Sequence, residues 1–187
     1  MMKRIISFVA VLTVLSSIMA SGCAFGTRRP KLEYSAITPV CSQKDVRIRV
    51  EKISDVRPDK DVIGNVRNGF GMKTADVVTT TDIADWVTNA LKLELNNAGY
   101  KVTVKESDNE ISGEIVRVFC TANFNYEGEV IVSIILKVGS KVVINKTYSG
   151  KATALNWAAT SKSYGTTLQR SLQQVMKQIV GDVERSL

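Results

Sequence analysis

Residues 129–150 read EVIVSIILKV-GS-KVVINKTYSG, and their alternation of apolar and polar side chains sets the fold class. Two alternating runs flank Gly139-Ser140, a pattern that predicts a β-hairpin. Glycine at the first central position suits a type II′ turn, because that position takes a positive φ. We expect the apolar residues of the first run to face the core: Val130, Val132, Ile134, Leu136 and Val138.

The segment before this hairpin predicts a further strand of the same sheet. Residues 111–119 (ISGEIVRVF) are apolar on parts of both faces, which indicates a central strand. Residues 121–128 (TANFNYEG) are polar apart from Phe124 and Tyr126, and we expect a loop that joins the two strands.

The segment after the hairpin predicts a loop and then a closing helix. The loop spans residues 151–162 and carries Trp157. An apolar stripe at 3,4 spacing over residues 163–187 indicates an amphipathic helix. The stripe consists of Leu168, Leu172, Val175, Met176, Ile179 and Val183.

A second amphipathic helix is predicted over residues 81–98. Thr81 is placed to cap it, and Asp82 lies in the first turn, where an acidic side chain is favourable. Gly99 follows the last periodic residue and predicts the C-terminal cap. The buried face is expected to contain Ile83, Trp86, Val87, Ala90, Leu91, Leu95 and Ala98.

Short strands are predicted around this helix. Residues 46–53 (VRIRVEKI) alternate as a half-buried strand does, and residues 100–105 form another strand. Residues 62–78 predict a hairpin with Asn68-Gly69 as a type I′ turn. The intervening residues 54–61 (SDVRPDKD) predict a polar turn.

The beginning of the chain, MMKRIISFVAVLTVLSSIMASGC, has the order of a secretory signal: a basic start, an apolar run and small residues. The apolar run is short for a membrane span, which needs about 20 residues, so we expect cleavage. Residues 20–23, Ala-Ser-Gly-Cys, resemble the lipobox of bacterial lipoproteins, in which the cysteine is acylated, palmitate being a typical chain. That resemblance predicts lipidation of Cys23. Ala20 stands where the lipobox usually has Leu, so ordinary signal peptidase cleavage, with a free Cys23, is the alternative.

Three regions follow from these features: a lipoprotein signal peptide over residues 1–22, a lipid-anchored linker over 23–43 and one α+β domain over 44–187. The expected fold is a mixed or antiparallel sheet with two amphipathic helices on one face. The other face is left wet or meets a partner. We expect the strand at residues 46–53 to run parallel to the strand at Ile111. By resemblance to lipoprotein sorting, Ala24 in place of aspartate implies the outer membrane, with the domain facing the periplasm.

Composition limits the chemistry. The chain has no histidine, which removes the usual general base and zinc ligand, and we expect no metal and no cofactor. The net charge of +7 falls to about +5 once Lys3 and Arg4 leave with the signal, and we expect no nucleic-acid partner. Cys41 and Cys120 meet an oxidising compartment after export, where a disulfide and two separate buried thiols are both open. The parallel arrangement would place these two cysteines at opposite ends of the sheet.

The order of features resembles the YajG-like family of small bacterial envelope lipoproteins. The likeness lies in Cys23, in VRIRVEKISDVR, in VIGNVRNGFGMKTADVV before a helix, in LKLELNNAGYKV and in ATSKSYGTTLQRSLQQVMKQIVGDV. It implies a membrane-anchored periplasmic domain without established catalytic residues. The element order is also similar to the N-terminal domain of TolB.

The function expected from the sequence is a non-enzymatic binding or scaffold module that is tied to a membrane through Cys23 and meets an envelope protein or glycan. Two alternatives stay open: an auxiliary subunit of an envelope transport or lipid- or peptidoglycan-related complex, and an envelope hydrolase. A hydrolase without histidine would need paired carboxylates. The candidates are Asp55, Asp59, Glu114 and Glu127, whose spacing nominates no pair, so no catalytic residue is predicted. Calcium at Asp55, Asp59 and Asp61 is disfavoured, because the spacing is not that of an EF-hand, and either a solvated loop or a local contact between Asp55 and Arg57 is preferred.

Overall fold

The computed structural model describes residues 26–156 and 160–187, so the predicted signal, its Cys23 and Trp157 lie outside the described residues. The elements in chain order are β1 (Arg47–Val50), β2 (Ser54–Asp55), β3 (Val62–Arg67), β4 (Lys73–Val78), α1 (Ile83–Asn97), β5 (Lys101–Thr103), β6 (Asn109–Ala122), β7 (Asn125–Val138), β8 (Lys141–Leu155) and α2 (Ser161–Ser186). The strands form one mixed sheet, which confirms the α+β prediction.

The long strand β6 organises the sheet. On one edge β6 pairs with β7, and β7 in turn pairs with β8; both pairings are antiparallel. The second edge of β6 is shared by three short strands, β1, β2 and β3, which all run parallel to it. Strand β5 adds next to β1 and β4 next to β3. The predicted parallel pairing of the first strand with the strand at Ile111 is confirmed, because Val50 pairs with Ile111.

Both helices pack on one face of this sheet and share a single core with it. The predicted stripe of α2 is fully buried, and so are Val130, Val132, Ile134 and Leu136 of β7; Val138 is half-buried. Helix α1 begins one residue later than predicted, because Asp82 rather than Thr81 caps it, accepting a hydrogen bond from the amide of Asp85. Burying this apolar surface is the main stabilising contribution to the fold.

Gly99 ends α1 as predicted. Its φ is +90°, its amide donates to the carbonyl of Asn96, and the Tyr100 amide donates to that of Leu95, which together make a Schellman motif. A Cβ at this position would also lie 2.3 Å from the carbonyl oxygen of Ser42, so residue 99 must be glycine for reasons of space as well as of φ.

The two loops predicted on either side of the long hairpin are wrong. Strands β6 and β7 continue through residues 121–128 and leave only Asn123 and Phe124 between them, while β8 runs on to Leu155. The alternation in TANFNYEG is the reason, because Ala122, Tyr126 and Gly128 continue the buried face of the sheet. Polar residues between them occupy the opposite, wetter face.

The hairpin of β3 and β4 is confirmed, but its type I′ turn at Asn68-Gly69 is wrong. No residue other than glycine has a positive φ among the described residues, whereas a type I′ turn needs one at Asn68. The connection instead spans residues 68–72. The side chain of Asn68 accepts hydrogen bonds from the amides of Phe70 and Met72, and Gly71 takes the positive φ. At the β7–β8 turn, Gly139 has a φ of +58°, as a type II′ turn requires.

Candidate membrane-anchoring and binding surfaces

The segment before β1 lies against the domain. We call residues 28–44 the strap, because they cross both helices and are held by hydrogen bonds along their length. Its Ser35 carbonyl accepts from Gln173 of α2, the Trp86 indole of α1 donates to the Glu33 carbonyl, and Asn97 donates to Thr38. Most of the segment expected as a spacer is therefore part of the fold, since its polar backbone finds partners on the helices.

One buried carboxylate fastens the strap to α1. Glu94 is completely buried and accepts hydrogen bonds from the Tyr34 hydroxyl at 2.5 Å and from the amides of Ile37 and Thr38, both at 2.8 Å. Burial acts to raise the pKa of Glu94, but the bonds from Thr38, Tyr34 and Ile37 outweigh it and hold this pKa below its ordinary value. Glu94 is therefore ionised at neutral pH.

Sequence reasoning missed Glu94 although a signal was present. It lies four residues after Ala90 and seven after Val87, so it falls on the buried stripe of α1. A charged residue on such a stripe needs partners, because an unpaired buried charge is strongly unfavourable.

The strap begins beside the edge strand β4. The Arg28 amide donates to the Asp76 carbonyl at 3.2 Å, and the Val78 amide donates to the Arg28 carbonyl at 2.9 Å, so Arg28 bridges Val77 in parallel. Only four residues separate Arg28 from the predicted acylation site at Cys23. If Cys23 is acylated, the domain is held close to the bilayer.

The face of the sheet opposite the helices is mixed in character. Half-buried Phe119, Ile131 and Ile135 lie on it among polar groups. On this face, Glu129 forms ion pairs with Arg117 at 2.6 Å and with Lys151 at 3.0 Å. Such surface ion pairs contribute little stability, so the pairs chiefly make the face wettable.

A charged depression of about 740 Å³ lies at the end of the sheet where β6 begins. Arg47 and Arg49 of β1 line it, together with acidic side chains from β6 and the loop before it. Arg49 contacts Glu51 at 2.8 Å and Glu110 at 3.6 Å. Arg49 and Glu110 therefore neutralise each other within the depression.

The four carboxylates that were candidates for hydrolysis do not form a pair. Arg57 is buried and binds Asp55 through two side-chain bonds, Nε to Oδ1 at 3.0 Å and an Nη to Oδ2 at 2.8 Å, which was one of the two alternatives left open by the sequence. Burial acts to raise the pKa of Asp55, but the Arg57 bonds dominate and the pKa lies below its usual value. Asp59 accepts from the amides of its own turn, including that of Asp61.

The remaining two candidates lie on the long strands β6 and β7, whereas Asp55 ends the short strand β2. Glu114 is exposed on β6 and Glu127 is exposed on β7. They lie at different positions along the hairpin, because Glu114 pairs with Ser133 and Glu127 pairs with Thr121. Within the described residues, no group of three or more potential metal-ligating side chains comes together. The four carboxylates therefore belong to turns and to the surface of the sheet.

The interface between the helices and the sheet is closely filled. Leu168, Leu172 and Val175 of α2 have no exposed area, and neither do Val130 and Val132 beneath them. An auxiliary subunit that carried lipid between helix and sheet would need an apolar groove there.

Across residues 26–156 and 160–187, neither helix combines the length and the apolar character needed to cross a bilayer.

The two described cysteines differ in environment and are both free thiols. Cys41 is exposed in the strap, where its amide donates to Asn97 at the end of α1. Cys120 is buried in β6, and burial raises the pKa of its thiol to about 12. The bridged alternative does not describe this structure, and of the two thiols only Cys120 is buried.

We expect Cys41 to react with a maleimide at least about 100-fold faster than Cys120 in the native protein at pH 7, since the thiolate must be formed and reached. Peptide mapping after a timed pulse measures both rates. Cys41→Ser should remove the fast reaction and Cys120→Ser should leave it. If Cys41 reacted slowly with the maleimide and reacted fast only after reduction, a disulfide would be present and this expectation would be contradicted.

No family model matches the chain, and no curated protein matches it. Protein XCC0632 from Xanthomonas campestris, described as DUF330, has a similar structure: 16% identity and a TM-score of 0.56 over 86% of this chain and 98% of its own. The hypothetical protein CT253 from Chlamydia trachomatis is 8% identical, with a TM-score of 0.51 over 76% and 98%. A minor lipoprotein from Acinetobacter baumannii is 11% identical, with a TM-score of 0.44 over 74% and 94%.

At these identities the similarity concerns the fold alone. The α+β arrangement of this chain therefore occurs in other bacterial proteins, including uncharacterised ones. None of the three is described as a YajG protein, so the YajG-like resemblance stays a prediction.

Proposed function

We propose that the chain is a lipid-anchored lipoprotein of the bacterial envelope whose α+β domain is a non-enzymatic binding or scaffold module. The observation that carries this proposal is the short path between anchor and fold. Cys23 closes a lipobox-like sequence, and Arg28 is already hydrogen-bonded to β4. A module held this close to a bilayer is suited to meeting partners at the membrane surface.

The finer parts of the proposal rest on sequence. Ala24 after the cysteine favours the outer membrane, with the domain in the periplasm, and the order of motifs favours a YajG-like protein. The partner would be an envelope protein or glycan. The filled helix–sheet interface and the separated carboxylates supply no observation in favour of a transport subunit or a hydrolase.

The anchor is tested by the intact mass of the protein extracted from native membranes. We expect a chain that begins at Cys23 and carries acyl groups, because several chains on one residue give stable anchoring while a single chain holds only weakly. Cys23→Ser should abolish the acyl mass, and Cys41→Ser, at an exposed cysteine of the strap, should leave it unchanged. An unmodified Cys23, or a retained signal, would contradict the anchor.

Binding is tested by crosslinking in intact cells, with Cys23→Ser as the comparison. We expect a reproducible adduct to an envelope protein or glycan that requires the anchor. An adduct equally abundant in Cys23→Ser would show that the anchor is not needed, and the absence of any reproducible adduct would contradict the binding module.

A further inference from the structure

The end of the molecule where β6 turns into β7 exposes an unusual amount of apolar surface. Phe70 is 90% exposed, Phe124 73%, Leu155 69% and Met72 60%. Among the described residues, these two phenylalanines are the only large aromatic side chains that are exposed. We call these four residues the apolar end.

The four side chains come from three separate connections that the sheet brings together. Strand β3 ends beside β6, since Val66 pairs with Ala122. A Cβ at Gly69 would lie 3.9 Å from the Phe124 ring, which places the β3–β4 turn against the β6–β7 turn. Leu155 pairs with Asn125 at the end of β8. The sheet thus collects them at one end, because two hairpin turns and the end of β8 coincide there.

The predicted anchor leads toward this same end. Arg28 bridges Val77 in parallel, so the backbone at Arg28 has the direction of β4 and its N-terminal side points toward Lys73 and the β3–β4 turn. The four steps from Val77 to Lys73 cover about 13 Å of strand. The five steps from Arg28 back to Cys23 can reach at most about 17 Å. The length of chain therefore allows an acyl group on Cys23 to enter the bilayer beside the apolar end.

Charge around the apolar end favours an anionic lipid surface. Exposed Arg67 and Lys73 belong to the β3–β4 hairpin, and Arg28 and Arg29 lie beside it. Arg67 and Lys73 are the basic groups next to the apolar side chains, with Lys73 paired to Asp76, while Arg28 and Arg29 lie about 13 Å farther along β4. Basic side chains near a membrane surface are attracted to anionic headgroups.

We propose that the apolar end is a bilayer-contacting surface in which Phe70, Met72, Phe124 and Leu155 enter the headgroup region beside the anchor. This inference deepens the proposed function and rests on it for the position of the membrane. Aromatic and long apolar side chains at loop tips suit this region, where one side is apolar and the other wet. The long strands then stand away from the bilayer, and the depression lined by Arg47 and Arg49 faces the periplasm.

The test uses tryptophan fluorescence of the full-length protein purified from its membranes and placed in vesicles. The vesicles contain phosphatidylethanolamine and phosphatidylglycerol, with a doxyl quencher near the headgroup. Probes are Phe70→Trp and Phe124→Trp, and the matched control is Val104→Trp, an exposed position after β5. Every variant also carries Trp157→Phe, so that the buried Trp86 is the one native tryptophan left and contributes a constant background fluorescence.

We expect doxyl lipid to quench the emission of both probes at least about twofold, with a blue shift, and to leave Val104→Trp unchanged. Unchanged thermal unfolding midpoints establish that the variants fold. Quenching of the probes no stronger than that of Val104→Trp would overturn the inference. The inference would also be overturned if the protein stayed oligomeric in the vesicles and the probes were not quenched, because the apolar end would then be covered by a second copy of the chain.

Failure of the anchor is distinguishable from failure of this inference. The mass of the same preparation reports acylation of Cys23. If Cys23 is unmodified, the anchoring proposal fails, and the quenching comparison on that preparation added to the vesicles still decides whether the apolar end meets lipid.

Discussion

Gly150→Ala is expected to lower the free energy of unfolding by about 3 kcal/mol or more, the upper range of overpacking costs. A Cβ at Gly150 would lie 2.0 Å from the carbonyl oxygen of Ser171 and 3.1 Å from the Cβ of Gln174. The obstacle is the backbone of α2, which cannot rotate away as a side chain can. The helix would have to rise from β8, and the packing beneath it would be lost.

This close approach extends to the neighbouring strand. A Cβ at Gly128 would lie 3.0 Å from Thr167 and Ser171, so small residues on both sides let the helix settle on β7 and β8. Stability is measured by urea unfolding and by the thermal midpoint, which we expect to fall by about 10 °C for Gly150→Ala in a chain of this size.

Gly181→Ala is the matched control for this substitution. It lies in α2, and the nearest atom to a Cβ there is a guanidinium nitrogen of Arg185 at 3.7 Å. Alanine should be neutral or stabilising by up to about 1 kcal/mol at a helix position with space. Equal stability of Gly150→Ala and Gly181→Ala would show that α2 does not pack directly on the backbone of β8.

Glu94→Ala is expected to lower the free energy of unfolding by about 3 kcal/mol, because three partly buried hydrogen bonds lose their charged acceptor. The donors are the Tyr34 hydroxyl and the amides of Ile37 and Thr38. The strap should loosen from α1 before the core unfolds. Trypsin cleavage after Lys31 in native protein reports this loosening, and urea unfolding reports the stability.

Glu94→Gln and Glu106→Ala serve as comparisons. Glutamine keeps the size of the side chain and one acceptor oxygen, so its effect should be smaller than that of alanine. Glu106 is exposed in the loop after β5, and its replacement should stay within about 0.5 kcal/mol. Faster cleavage without a loss of stability would limit Glu94 to holding the strap. No change in either measurement would contradict its role.

The lowered pKa of Glu94 also predicts a pH dependence. The folded-state pKa lies below the ordinary value of 4.5, so the contribution of Glu94 to stability is complete above that pH. It is lost as the pH falls below 4.5 through the folded-state pKa, because the unfolded chain then binds the proton more readily. The difference in stability between wild type and Glu94→Ala should therefore shrink as acid is added.

Local periodicity was enough to predict both helices, most of the strands and the faces that they bury, although it did not predict how far β6, β7 and β8 extend. The stripe of α2, the alternation of β7, the cap at Gly99 and the parallel partner of β1 could all be predicted, since spacing of 2 or 3.6 residues reflects one-sided burial. The lipobox-like Cys23 was likewise a local pattern. Its acylation stays a prediction.

Long-range contacts account for what local patterns missed. The strap was expected to be a spacer because it has no periodicity, yet it lies on the helices through Glu94, about sixty residues away in sequence. The apolar end gathers Phe70, Phe124 and Leu155 from three connections. Neither feature has a local signature, because each depends on which strands become neighbours when the sheet forms, and a sequence pattern reports burial along one element rather than proximity between elements.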